Sequence, residues 1–426
     1  MSLYDQFNAK VEAVMNTPEL KKRIIYTLLM FLVARIGTLI PVPGVDLDRL
    51  ASMVNNNSVL GFINMFSGGA FQRVSIFALG VMPYINASIV ISLLAVIIPK
   101  LDEIQKEGES GRSKMTQWTR YLTIVIGFIQ AFGVTMWLQS MGLVITPGFM
   151  FVMTTVITVT AGTVFLMWVG EQISIKGIGN GISLIIFLNV IARMPSGVIQ
   201  TIQTMQGNKF LIPVLIVVGI SALVTVGGIV IFQLAQRRIP IHYVGRGFQG
   251  KGNAASSSFL PVKLNSAGVM PVIFASVIMM IPSLLVNSLP STIPYYALLN
   301  RMLGRNHPVY LILYAVLVMF FSFFYTAMMF DPEKIADNLK QGGGTIPGIR
   351  PGNETVEYLE KVITRITWGG AVFLAAIAVL PAFIFTAAGL PVFFGGTGII
   401  IVVGVALDTI QQINAHLVMK EYKGFI

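Results

Sequence analysis

Cysteine is absent from this 426-residue sequence, histidine occurs only three times, and charged residues are scarce. Without cysteine the chain can form no disulfide, no thiolate metal site and no cysteine nucleophile. Charged residues make up 11% of the chain, whereas roughly a quarter is usual in soluble domains. The 55% of hydrophobic residues, with 41 glycines and 20 prolines, indicates helices packed in a lipid bilayer.

Ten apolar runs are long enough to cross a hydrocarbon core about 30 Å thick. The run at 181–202 is the weakest, because Arg193 and Pro195 interrupt it. If this run crosses the membrane, most Lys and Arg residues fall on one side, and otherwise they divide evenly. Basic residues favour the cytoplasm, so ten spans with both termini cytoplasmic are expected. The predicted spans lie near 24–40, 74–98, 121–139, 150–170, 181–202, 211–235, 268–288, 308–330, 366–388 and 398–419.

Ten spans divide into five and five near residue 205. An odd number of spans in each half gives the halves opposite orientations, as in inverted repeats. The predicted domains are a cytoplasmic amphipathic helix (1–23), two five-helix halves (24–205 and 206–419) and a short cytoplasmic tail (420–426). The N-terminal helix is expected at the membrane interface because its apolar residues share one face, and a frayed polar tail is the alternative.

Ionisable side chains are nearly absent from the predicted spans. Arg35 in the first span and Asp408 in the tenth are expected at different depths in the membrane, so they are not expected to pair with each other. Each is expected to meet a backbone carbonyl, a hydroxyl group or water instead. A single membrane aspartate cannot form a two-carboxylate active site. Residues 245–251 have P-loop spacing, but they lack the following Ser or Thr and the strand and helix that flank a true P-loop. The sequence therefore predicts no catalytic residue, no metal site and no cofactor.

Two long basic loops, 236–267 and 331–365, are predicted on the cytoplasmic side of the second half. In the second loop, Asp331 and Pro332 predict the start of a helix, and Gly342 to Gly344 predict its end. Residues 347–352 predict a tight exposed tip that carries Arg350. Such a tip suits docking to RNA phosphate or to an acidic protein surface, and an ordinary solvated basic loop is the alternative.

Residues 41–73, on the opposite side, are too long for a turn and too mixed to span the membrane. Residues 60–71 predict a short apolar helix with Gly68 and Gly69 as a hinge, folded back into the bundle. Short elements at membrane depth are tolerated only when they are buried in protein or line a cavity. A cavity is therefore expected if this segment enters the bundle.

Five motifs resemble those of the SecY family, the channel subunit of the bacterial protein-export translocase. They lie in register with the ten spans, and the resemblance covers essentially the whole chain. It implies an all-α polytopic membrane protein with ten transmembrane helices in two inverted five-helix halves around a central hourglass pore. The motifs are Phe66-Ser67-Gly68-Gly69-Ala70, the sequence from Ile76 to Ile85, Gly177-Ile178-Gly179-Asn180-Gly181-Ile182-Ser183, Ala336-Asp337-Asn338-Leu339 and Pro347-Gly348-Ile349-Arg350-Pro351-Gly352.

The resemblance implies a protein-conducting channel, sealed at rest by a ring of apolar side chains and by a plug in segment 61–72. The expected pore ring consists of Val81, Ile85, Ile182, Ile186, Ile273 and Ile401. The expected plug residues are Gly61, Phe62, Ile63, Asn64, Met65, Phe66, Ser67, Gly68, Gly69, Ala70 and Phe71.

The resemblance also implies a lateral gate between spans two and seven, through which apolar segments leave for the lipid. Pro83 and Pro271 are expected to loosen the gate helices, while Asn86 and Ser92 place polar groups on one of them. The expected docking residues on the cytoplasmic loops are Arg237, Arg238, Arg246, Lys251 and Arg350.

The partners that the resemblance implies are the membrane subunits SecE and SecG, and the motor ATPase SecA or the ribosome. SecDF is an optional accessory, and the substrate is a precursor that carries a signal peptide. The expected location is the lipid bilayer of the bacterial inner membrane. From the residues alone, an ion-coupled secondary transporter and an insertase without a continuous pore remain alternatives. A coupled transporter needs carboxylates near mid-membrane, whereas this chain offers one aspartate near the inner face.

Overall fold

The computed structural model describes residues 12, 14, 16–56, 58–204, 211–243, 258–288, 296–304, 307–387 and 396–423, most of them helical. In chain order the helices are α1 (Pro18–Gly37), α2 (Leu47–Asn56), α3 (Ser58–Phe66), α4 (Met82–Ile97), α5 (Pro99–Lys106), α6 (Glu109–Ser140), α7 (Phe149–Lys176), α8 (Gly181–Thr204), α9 (Leu211–Leu234), α10 (Met270–Ser288), α11 (Tyr296–Met302), α12 (Pro308–Met329), α13 (Pro332–Gln341), α14 (Asn353–Ala387) and α15 (Gly396–Lys423). A 3-10 turn spans Phe71–Arg73. The predicted amphipathic helix at 1–23 lies mostly outside the described residues.

Each of the ten predicted spans overlaps one of these helices: α1, α4, α6, α7, α8, α9, α10, α12, α14 and α15. Across the described ranges, six helices are long and apolar enough to cross a membrane, namely α6, α7, α8, α12, α14 and α15. A seventh span results if α4 and α5 count together, although they are bent by 108°. The weakest predicted span is therefore a helix of sufficient length.

The bend between α4 and α5 has a local cause. Ile98 is extended, with φ −102° and ψ 108°, and Pro99 begins the next helix. A residue that precedes proline avoids the α-helical region because the proline ring crowds it. The chain therefore turns sharply where the second span ends.

The second span is shorter than its hydropathy predicted. It begins at Met82 rather than near 74, because residues 74–81 form turns in which Val74 and Gly80 have positive φ. The expectation that Pro83 and Pro271 loosen their helices was wrong, since each occupies the second position of its helix. An N–H group there has no intrahelical acceptor, so proline removes no hydrogen bond and favours helix initiation.

A three-stranded antiparallel sheet connects the two predicted basic loops and departs from a purely helical fold. Strand β1 (Gln236–Tyr243) pairs with β2 (Ser258–Lys263) on one edge and with the two-residue β3 (Gly344–Thr345) on the other. The register pairs Gln236 with Lys263 and His242 with Thr345. Its buried side chains join a small apolar core with α14, formed by Ile239, Val262, Ile346, Leu359 and Val362.

The chain divides into two compact units. The first comprises Met1–Leu211, Val392–Phe394 and Val405–Ile426, and the second comprises Ile212–Pro391 and Gly395–Gly404. An apolar core in the first unit joins α2 and the turns after the 3-10 segment to α6 and α7, with Leu50, Phe71, Leu138 and Val156 at its centre. In the second unit, α10 packs on α12 through an edge-on contact between Phe274 and Phe321, whose ring centres are 5.8 Å apart.

Helices α7 and α8 meet at a pair of glycines. A Cβ atom placed on Gly181 would overlap the carbonyl oxygen of Gly170, and one on Gly170 would overlap the side chain of Ile182. Glycine therefore lets the two backbones approach closely, as is common between membrane helices.

We expect Gly181→Ala to destabilise the protein by ~2 kcal/mol, because α8 must move away from α7 to accept the methyl group. Thermal unfolding of the purified protein in detergent measures this change. Gly227→Ala in α9 is the matched control, because a Cβ there meets no atom within 4 Å. Equal unfolding temperatures for the two variants would contradict the close-approach argument.

Candidate functional site

The segment 61–72 contains the end of α3, a four-residue turn and the start of the 3-10 turn. Hydrogen bonds made by the segment's own side chains stabilise this turn. The Asn64 amide oxygen accepts from the Gln72 N–H at 3.0 Å, and the Asn64 amide nitrogen donates to Gln72 Oε1 at 3.2 Å. The Ser67 hydroxyl accepts from the Phe71 N–H at 3.0 Å. The predicted short helix is thus present, and polar bonds fix its C-terminal end.

Three side chains from neighbouring helices bind the same turn from outside. Asn189 on α8 donates to the Phe66 carbonyl at 2.9 Å, and Arg35 on α1 donates to the Gly68 carbonyl at 3.1 Å. Arg193 on α8 donates to Gln72 Oε1 at 3.3 Å. Arg35 was expected to meet a carbonyl, a hydroxyl group or water, and of these the structure shows a carbonyl.

The predicted hinge glycines adopt the left-handed conformation, with φ +67° at Gly68 and +89° at Gly69. A Cβ on Gly68 would lie 2.6 Å from Asn189 Oδ1 and 2.8 Å from Arg35 Nη1. Gly68 is therefore required both by its backbone conformation and by the two side chains that close over it.

The end of the segment is anchored to the rest of the first unit. The Val42 N–H donates to the Val74 carbonyl at 2.8 Å, and the Ile76 N–H donates to the Ile40 carbonyl at 3.1 Å. Phe71 stacks against Trp137 of α6, with ring centres 6.4 Å apart. These contacts fix where the chain leaves the turn and enters α4.

All six residues expected in the pore ring are buried. In the first unit, Val81 and Ile85 lie at the start of α4, and Ile182 and Ile186 lie in the first two turns of α8. In the second unit, Ile273 lies in the first turn of α10 and Ile401 in the second turn of α15. Each therefore lies near the beginning of its helix, and their assembly into one ring stays a prediction.

The expected gate residues lie on α4 and α10. Asn86 and Ser92 are half-buried on α4, where Pro83 is in the first turn. On α10, Pro271 is followed by Ser276, whose hydroxyl donates to the Val272 carbonyl at 2.6 Å and lies 3.3 Å from the Tyr314 hydroxyl. This contact fixes α10 against α12, and the gate role of these residues stays a prediction.

The expected docking residues lie on the sheet and on the loop before α14. The Arg238 guanidinium lies 4.8 Å from the centre of the Phe259 ring, and Arg237 faces Val262 in the strand register. The Arg350 side chain is 87% exposed and lies 3.9 Å from Glu354, while the Arg350 carbonyl accepts from the Thr355 hydroxyl at 2.9 Å. Arg246 and Lys251 lie outside the described residues.

An open groove of about 510 Å³ lies beside Arg350, lined by His242, Thr345 and residues 346–351. Helix α13 begins at Pro332 as predicted, because the Asp331 carboxylate accepts from the Lys334 N–H at 3.1 Å. In the described part of the chain, no three His, Asp or Glu side chains are grouped as metal ligands. Arg350 thus contributes an exposed cation to the lining of this groove, and its docking role stays a prediction.

The sequence profile of the SecY family matches residues 75–410. The protein translocase subunit SecY of Pseudomonas aeruginosa is 42% identical over 412 residues, which cover 96% of this chain and 93% of the relative. This chain belongs to the SecY family. Its membership confirms the resemblance drawn from the five motifs.

Two solved structures share the fold of this SecY-family chain. One, from work on a plug domain that stabilises the closed state of the SecY translocation channel, is 19% identical, with a TM-score of 0.66. The other, Sec61 in the canine ribosome–channel complex from the endoplasmic reticulum, is 18% identical, with a TM-score of 0.65. Each alignment covers 93% of this chain and 92% of the other chain.

Sequence reasoning missed Gln72, Asn189 and Arg193 as contacts of the 61–72 segment. Asn189 and Arg193 were visible as polar residues in an apolar run, and Arg193 only weakened the prediction of that span. Asn189 and Arg193 interrupt an apolar run, and polar residues inside membrane spans usually face protein. That interruption was the signal in the sequence for contacts within the bundle.

We expect Gly68→Ala to loosen the 61–72 segment, because left-handed φ costs a residue with a Cβ about 1–2 kcal/mol and the methyl group would collide with Asn189 and Arg35. A Met65→Cys reporter, buried at rest, should react about tenfold faster with a membrane-impermeant maleimide.

The matched control for this test is Gly61→Ala in α3, where the nearest atom to a new Cβ is 3.6 Å away. The control should leave the reporter rate unchanged. If both alanine variants label at the parent rate, the turn is not held as described.

Proposed function

We propose that this chain is the protein-conducting channel of the Sec pathway. It passes unfolded secretory polypeptides across the membrane and releases sufficiently apolar segments sideways into the lipid. The observation that carries the proposal is the short helix α3, whose buried C-terminal turn is bound by Asn189 and Arg35 within a SecY-family chain. An element seated through a few hydrogen bonds can be released and reseated, as a plug requires.

The pore ring is the second part of the proposed seal. Its six members have branched aliphatic side chains, which offer water and ions no hydrogen-bond partner. A narrow collar of such side chains stays dry and closed to ions. The side chains are also compliant enough to seat around a passing polypeptide.

The lateral gate is proposed between α4 and α10. Asn86 and Ser92 place polar groups on α4, so the surface that α4 would offer to such a gate is not continuously apolar. A seam of modest stability lets a translocating segment sample the lipid, and a segment of sufficient hydrophobicity then partitions out.

Energy for transport is proposed to come from partners at the cytoplasmic loops, either the motor ATPase SecA or a ribosome. The exposed Arg350 and the sheet that carries Arg237 and Arg238 support docking there. SecE and SecG are proposed as membrane partners, with SecDF as an accessory. The chain is a multi-pass membrane protein of the translocase family, and we place it in the bacterial inner membrane with both termini cytoplasmic.

Cysteine scanning tests the central path, and the natural lack of cysteine makes it clean. Single cysteines replace Ile85, Ile182, Ile273 and Ile401, and a precursor is stalled in mid-transport with SecA and the partner subunits present. We expect crosslinks from all four positions to the precursor. Matched controls are Ile129→Cys and Ile231→Cys, whose parent side chains are 63% and 72% exposed on α6 and α9.

Crosslinks at the four positions, with none at the two exposed controls, would establish a central polypeptide path. Crosslinks restricted to Ile85 and Ile273 would refute the ring and favour an insertase that uses only the gate. Their absence at all four positions, with transport intact, would refute the central path through the ring.

A charge reversal tests the docking surface. We expect Arg350→Glu to weaken binding of SecA or of ribosomes to vesicles that contain the protein by about tenfold or more, because the loop tip would repel an acidic partner. Lys361→Glu is the control, since Lys361 is an exposed cation on α14 that pairs with Glu357. Equal losses in the two variants would mean that only net charge matters, which would contradict a specific role for Arg350.

A further inference from the structure

The turn at the end of α3 receives donors from two different helices. Asn189 and Arg193 reach it from α8, and Arg35 reaches it from α1. The Asn189 contact is the most enclosed, because Asn189 is 3% exposed and Phe66 is 1% exposed. The acceptors on the segment are two backbone carbonyls and one amide oxygen. All three contacts join the segment to α1 and α8, so a movement of either helix would disturb the seating of the segment.

The two donors on α8 share a face with two of the proposed ring residues. Ile182, Ile186, Asn189 and Arg193 are spaced by four, three and four residues, which places them along one stripe of an α-helix. Ile182 and Ile186 occupy the first turns of α8, and the donors follow one and two turns later. One rigid helix therefore carries part of the proposed ring and the contacts of the proposed plug.

We propose that Asn189 and Arg193 are positioning residues that make α8 a latch between the pore ring and the plug. A displacement of α8 that widens the ring also withdraws these donors from Phe66 and Gln72, so both seals open together. The coupling is reciprocal, because a seated plug in turn holds α8 in its closed position. This inference rests on the proposed channel function.

The energetics favour this coupling. A buried carbonyl that loses its donor is destabilised more than the bond itself contributed, because water does not replace the donor in a closed site. The Phe66 carbonyl also lies at the C-terminal end of α3, which is the negative end of the helix dipole. The cations Arg35 and Arg193 interact favourably with that end. When α8 withdraws, the plug keeps only the Arg35 contact of the three, so Arg35 holds the plug independently of α8.

The first test measures seating of the plug at rest. With the Met65→Cys reporter, we expect Asn189→Leu to raise the maleimide rate by roughly fivefold to tenfold and Arg193→Leu to raise it less. Asn189→Gln and Arg193→Lys, which keep a donor, should remain near the parent rate. Ile191→Ala, a change on the more exposed side of α8, is the matched control. Unchanged rates in both leucine variants would overturn the latch.

The second test measures transmission to the ring with a separate Ile182→Cys reporter. Arg35→Met should loosen the plug and so accelerate labelling at Ile182→Cys when Asn189 and Arg193 are present. In the Asn189→Leu/Arg193→Leu background the ring reporter should already react quickly, and Arg35→Met should add nothing. Equal acceleration in both backgrounds would show that the ring senses the plug by another route and would overturn the latch.

The two labelling tests use the resting protein and need no precursor. Retained ring crosslinks to a stalled precursor, with no effect of the α8 variants, would refute the latch and leave the channel standing. If the labelling tests give the expected results but no ring position crosslinks to the precursor, the central path is refuted and only the coupling between α8 and segment 61–72 remains. The amount of membrane-inserted protein in each variant separates both results from a failure to fold.

Discussion

The carbonyl groups at the end of α3 impose the constraint on which the proposed closed state depends. A helix cannot satisfy its last carbonyls internally, and burial prevents water from doing so. Here Asn189 and Arg35 provide the donors for Phe66 and Gly68, while Asn64, Ser67 and Gln72 close the turn from within. The segment is consequently seated by specific polar contacts from α1 and α8. These hydrogen bonds act together with the packing of Phe71 in the apolar core of the first unit.

In the second unit, the proposed docking surface is supported by a small β-sheet. Strand β1 pairs on one side with β2 and on the other with β3, so two loops far apart in sequence form one sheet. The apolar core beneath the sheet includes Leu359 and Val362 of α14. That arrangement gives the exposed Arg350 a rigid support at the base of a membrane helix. A rigid surface loses less conformational entropy when a partner binds, so the free-energy cost of docking is lower.

The sequence predicted a helix at each of the ten apolar runs because continuous apolar runs are a strong local signal. It also predicted the N-cap at Asp331, and it included a carbonyl among the expected partners of Arg35. It placed the start of the second span too early, because hydropathy averaged over a window cannot register the turns at 74–81. Pairing of β1 with β3 depends on residues about a hundred positions apart. The contacts of Asn189 and Arg193 likewise follow from tertiary packing, which no local pattern encodes.

Hydrogen exchange in the region 61–75 tests the central claim most directly. Exchange is followed by mass spectrometry in the resting protein and in the same protein holding a stalled precursor. The account predicts slow exchange at rest and much faster exchange with the precursor present, while peptides from the middle of α6 remain protected in both states. Equal exchange of region 61–75 in the two states would contradict the claim that donors from α1 and α8 hold this segment until a polypeptide enters.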